Sequence, residues 1–176
     1  MSTRVFGEIL VIAFLGSVVA GGYGILHDQF TYTLSPEYFT KFKIHQFHYL
    51  STDSGMRWAV AKIGFLATWW VGLFAGWLFG RLLVPRRGLS GALAPSLQGF
   101  VVVFIGALVG GLSGYLVGRE MPKGWDSIRI HCAELGVDDV SGFVQVACIH
   151  SGGYLGALMG LLVSLFWIVK KSRNPW

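Results

Sequence analysis

The chain has 176 residues, enough for one domain and no more. Hydrophobic residues make up 53% and charged residues 13%, where a soluble domain carries about a quarter charged. That shortfall excludes a well-solvated surface. The net charge of +5 does not imply nucleic acid, because the basic residues sit beside apolar runs, where anionic lipid headgroups are the nearer partner.

Four apolar runs reach the roughly 20 residues that a spanning helix needs. They cover about 5–26, 58–83, 97–118 and 147–169. None carries a wide polar stripe, and in lipid each must satisfy its own backbone, so the expected fold is all-α. The sequence predicts an integral membrane four-helix bundle forming a single transmembrane domain over 1–176, with outer loops at about 27–57 and 119–146. Arg4 and Val18-Val19-Ala20 resemble parts of a signal peptide, but apolar character continues to Leu26, which favours a retained helix. Basic residues divide evenly between the two sides. They are densest in the short regions around Arg4, Arg81, Arg86, Arg87, Lys170, Lys171 and Arg173, which puts both termini in the cytoplasm.

Small residues recur every fourth position within these runs. The series are Gly16, Ala20 and Gly24; Gly72, Gly76 and Gly80; Gly106, Gly110, Gly114 and Gly118; then Gly152, Gly156, Gly160 and Ser164. Residues four apart share a helix face, and a glycine face lets two backbones approach closely in lipid. Such a glycine zipper serves either packing within one small bundle or self-association around a gated pore. A phrase shared by Ala75–Arg81 and Ser113–Arg119 makes an inverted repeat conceivable on a short match. Ionisable groups are expected only near the helix ends, at Glu8, Lys62 and His150. The helix centres offer only Ser17, Thr68, Ser113 and Ser164, so the sequence outlines no proton relay.

The first outer loop is the most distinctive segment. Ser35-Pro36-Glu37 forms a helix start, with serine as cap and proline at the first position. From there an amphipathic helix is predicted to about Leu50, with Tyr38, Phe39, Phe42 and Tyr49 on a face suited to the interface. Trp58 fits the aromatic belt. His27-Asp28-Gln29, Thr31-Tyr32-Thr33 and Ser35–Lys43 together read HDQxTYxxSPEYFTKFK. This stretch resembles one found in an uncharacterised family of small bacterial four-span inner-membrane proteins. The resemblance implies a bacterial inner membrane and supplies no activity.

All five histidines and both cysteines fall on the outer side. A zinc or copper site can draw on His27, Asp28, His45, His48 and His150, with Glu37 as a further oxygen donor. No HExxH or paired CxxC supports it, and loop or interfacial histidines are the simpler reading, so no cofactor is assigned. Cys132 and Cys148 stand as a disulfide, as free thiols, or as metal ligands beside His131 and His150. Gly136 is placed to end a loop helix over 126–135, and Asp138 to start one that runs unbroken into the membrane.

No catalytic set emerges, which favours a non-enzymatic subunit, scaffold or accessory factor of a membrane assembly. The expected partners are the lipid bilayer and other membrane proteins or further copies of this chain. A small channel or transporter and an outer-surface metal-binding protein are the two alternatives.

Overall fold

The computed structural model describes residues 1–120 and 126–173, with side chains to residue 170. Lys171 and Arg173 of the charge balance therefore lie outside the described side chains. All regular structure among the described residues is helical. Three helices are long and apolar enough to cross a membrane: Thr3–Leu34, Met56–Glu120 and Val140–Lys170.

The first, α1 (Thr3–Leu34), opens on Ser2, whose hydroxyl accepts from the Val5 N–H at 3.4 Å. It continues past the predicted end at Leu26 because nothing from His27 to Leu34 breaks a helix. It stops at Ser35, extended at φ −147° and ψ 97°. Pro36 explains the stop, since proline's ring disfavours helical geometry in the residue before it. This extension carries His27, Asp28 and Thr31 into the helix, where a loop was expected.

The second of these long helices, α3 (Met56–Glu120), is 65 residues long and is interrupted at Gly88, at φ 63° and ψ 176°. Glycine alone adopts that conformation without strain. The predicted turn over 84–96 is thus reduced to one residue between helical arms at 56–87 and 89–120. The arms fold back on each other, bringing the Phe79 and Phe100 rings to 5.2 Å.

Each arm of α3 takes a separate partner. On the first arm, a Cβ at Gly72 would run into the carbonyl oxygen of Gly16, and one at Gly64 into that of Gly24. Gly76 meets Ile12 and Ala13 of α1, and Gly80 meets Ile9. The Thr68 hydroxyl lies 2.8 Å from the carbonyls of both Ala20 and Gly64.

The second arm packs on α5 (Val140–Arg173) in the same manner. Gly106 faces Gly156, Gly110 faces Gly152, Gly114 meets the Cys148 carbonyl, and Gly160 meets Val102. Here the Ser164 hydroxyl reaches the Gly99 and Gly160 carbonyls at 3.1 and 2.8 Å. Two backbone-to-backbone pairs result, each tied by one hydroxyl, half-buried at Thr68 and buried at Ser164. All nine glycines predicted to pack, from Gly72 to Gly160, lie at these contacts.

Ile9, Ile12, Phe79, Leu83, Phe100 and Ile168 form the buried cluster at the Gly88 end. A second cluster, around Phe39, Val60, Cys132, Phe143 and Val146, covers the opposite end.

That second cluster corrects the sequence reading of the first outer loop. The chain is helical only from Pro36 to Gln46: a π-helical stretch at Tyr38–Lys43, then α2 (Ile44–Gln46). Its leading aromatics do not lie in an interface. Tyr38 is 4% exposed and Phe39 fully buried, because both pack onto α5 rather than outward. Nor does the Ser35 side chain cap the helix; its hydroxyl is buried without a hydrogen-bond partner among the described residues.

The second loop follows its expected outline. In α4 (Asp126–Glu134) the chain ends through Gly136 at φ 67°, with Gly136 N–H bonded to Ala133 O and Val137 N–H to Cys132 O. This is the double closure that a left-handed glycine allows at a helix end. Asp139 caps α5, one residue later than expected, accepting from Gly142 N–H at 2.9 Å.

Candidate functional site

The site forms where α1 and α5 meet, at the end away from Gly88. His27, Asp28 and His150 each present a ligand atom there, all within 4.8 Å of one another. Asp28 is 3% exposed and His150 7%. The pairing follows from helix register: Tyr23, His27, Asp28 and Thr31 are spaced by three and four, so they line one face of α1.

Hydrogen bonds and ring packing fix the two imidazoles. Tyr23 Oη stands 3.3 Å from His27 Nδ1, and Thr31 Oγ1 stands 3.3 Å from His150 Nε2. Thr31 Oγ1 also donates to the His27 carbonyl at 3.0 Å. The His27 and His150 rings cross edge to face at 4.8 Å. Tyr38 stacks on His150 at 4.9 Å, and Phe39 packs edgewise at 6.0 Å. The π-helical stretch is therefore a cover over His150, consistent with the concentration of π-helical turns at functional sites.

Asp28 holds the site's unbalanced group. Its Oδ1 lies 3.9 Å from His150 Nε2, while Oδ2 is buried with no hydrogen-bond partner among the described residues. A buried carboxylate oxygen with no donor costs stability unless something satisfies it. Lys43 is a cation within electrostatic reach of Asp28. Burial lowers its pKa, and attraction to Asp28 pushes it back up. Its ammonium donates to Gln46 Oε1 at 3.2 Å and lies 5.9 Å from the Tyr38 ring centre.

Glu37 fastens the cover. Its two carboxylate oxygens accept from the Asp138 and Asp139 N–H groups at 3.1 and 2.7 Å, just ahead of α5. These bonds hold its pKa below the ordinary 4.5. A depressed carboxyl supports the fold above its unfolded value and loses that support as pH falls through the folded one. Amide-exchange protection over Tyr38–Lys43 is accordingly expected to drop only below pH 4.5. In Glu37→Gln it drops at neutral pH as well. Equal protection in wild type and variant at pH 7 would show that Glu37 anchors nothing.

Below the histidines lies a cavity of about 90 Å³ between the two helix pairs. Its end away from Gly88 is lined by His27, Asp28, His150, Tyr23 and Tyr154. Its walls are mostly apolar, with Val71 and Ala75 from the first arm, Phe100 and Ala107 from the second, and Ala157 from α5.

Of the five residues proposed from sequence as metal ligands, the structure gathers His27, Asp28 and His150. His45 and His48 are exposed and stand outside the cluster. Glu37 is engaged at the start of α5 instead. Cys132 and Cys148 remain thiols rather than a disulfide; Cys132 is buried. Burial, then the negative charge of Glu37, raises the Cys132 pKa, which keeps it protonated and weakens it as a ligand. Tyr23, Thr31, Tyr38 and Lys43 were not anticipated as site residues; extending α1 by two turns on paper would have exposed the first two.

Two imidazoles and one carboxylate suit a borderline divalent ion such as zinc. Tetrahedral ligands about 2 Å from one ion lie about 3.3 Å apart, so the 3.9 Å between Asp28 Oδ1 and His150 Nε2, and the 4.8 Å spread of the set, must close on binding. The chain matches no protein-family model, and no curated protein or solved structure matches it significantly, so its residues alone carry the functional reading.

Proposed function

We propose that this is a four-span membrane protein that holds one transition-metal ion, zinc or copper, at His27, Asp28 and His150. The observation that carries this reading is the largely buried His–Asp–His set whose Asp28 Oδ2 has no hydrogen-bond partner among the described residues. A cation bound there would satisfy that oxygen and neutralise the carboxylate. Scaffolding, which the lack of a catalytic set and the glycine faces favoured, explains the glycine contacts but gives no reason to bury two histidines and an aspartate together.

The membrane setting belongs to the same proposal. Each arm of α3 is long enough to span alone, since about 30 residues rise about 45 Å against a hydrocarbon thickness of about 30 Å. We infer four crossings with glycine-zipper packing in a bacterial inner membrane, with both termini cytoplasmic and the metal near the outer face. The resemblance of 27–43 to small bacterial four-span proteins fits that setting.

Purification from native membranes, with metal content read by elemental analysis, tests the proposal. About one equivalent of zinc or copper per chain is expected in the wild type, and little in Asp28→Asn. A metal-free wild type whose melting ignores both chelator and added zinc or copper contradicts it.

A further inference from the structure

Three protein ligands leave a tetrahedral ion one open position, the arrangement that binds a water or a substrate. All three residues line the cavity, so an open position on an ion held there would be reached from it. We propose that it takes the hydroxyl oxygen of an alkyl alcohol, whose chain lies between the two helix pairs; this rests on the metal reading above.

Two features select this chemistry. A hydroxyl on the metal can donate its proton to whichever Asp28 oxygen is not on the ion, whereas a carbonyl or ether cannot. Water meets the same demand at the metal but not further in. A buried water needs two to four polar partners, and the walls at Val71, Ala75, Phe100 and Ala107 provide apolar side chains. The ligand is therefore polar at one end and apolar along its body. Its enclosed part is short, because about 150 Å³ holds benzene and this cavity has about 90 Å³. On that comparison, roughly four non-hydrogen atoms fit. The ligand is either a small alcohol or the end of a longer lipid-borne one.

Cobalt-substituted protein in nanodiscs tests this, with 1-butanol and 1-hexadecanol as separate probes. Either alcohol is expected to shift the visible cobalt bands saturably, and the matching alkanes are expected to leave them unchanged. A response to butanol alone identifies a free small alcohol as the source, and a response to hexadecanol identifies a membrane one. Ala107→Phe, which fills the cavity, is expected to keep the cobalt and weaken the alcohol response by about tenfold or more. Ala157→Leu serves the same purpose if Ala107→Phe does not fold. Cobalt bound at full stoichiometry with bands that ignore both alcohols overturns the ligand class and leaves the metal site standing. Failure to take up cobalt or zinc at all overturns both.

Discussion

Replacing His150 with alanine is expected to lower zinc affinity by more than about 100-fold, the upper end of what losing a partner of a metal ligand costs. His150 is the residue where the two helix pairs and the cover converge. It faces His27 and Asp28 across the junction and lies under Tyr38. Its removal takes away a ligand and also the ring on which the cover rests. Asp28→Asn separates the two effects, since it keeps the shape and removes the charge; its affinity should fall comparably while the cover stays protected. His48→Ala, at an exposed position, should leave affinity unchanged. Competition against a chromophoric chelator measures all three. Wild-type affinity in His150→Ala, or a loss in His48→Ala, would move the metal elsewhere.

The second large effect concerns the glycines. In an exposed helix, glycine to alanine gains up to about 1 kcal/mol. At Gly72 and Gly156 the sign is expected to reverse, because the new methyl would meet the carbonyl oxygens of Gly16 and Gly106. Backbone cannot rotate aside as a side chain does, so the helices must separate. The cost should match or exceed the roughly 1–3 kcal/mol typical of overpacking. Gly22, with nothing within 4 Å of its would-be Cβ, is the control and should tolerate alanine. Melting in a single detergent compares them. Similar values for Gly72→Ala, Gly156→Ala and Gly22→Ala would mean that the close approach adds nothing to stability.

The glycine faces were legible because a four-residue period is local information. Which face met which was not: the pairing of α1 with the first arm and of α5 with the second depends on the fold at Gly88, which no short-range pattern specifies. The site was half legible. His27, Asp28 and His150 stood among the candidates, but hydropathy ended α1 at Leu26 and left the first two in a loop. Helix termination follows backbone sterics at Ser35-Pro36, whereas hydropathy reports only what lipid tolerates. His150 was likewise placed near a helix end, although α5 begins at Val140 and buries it well inside. The aromatic face at Tyr38 and Phe39 was read correctly as apolar and given the wrong neighbour, because amphipathicity cannot distinguish a lipid headgroup layer from a histidine-bearing helix.

The most direct measurement is X-ray absorption at the zinc edge of the metal-loaded protein in lipid. Scattering from two imidazoles and a light-atom shell at about 2.0–2.2 Å, lost together in Asp28→Asn and His150→Ala, is the predicted result. A sulfur shell at about 2.3 Å would instead put the ion on Cys132 or Cys148, and would contradict the assignment to His27, Asp28 and His150.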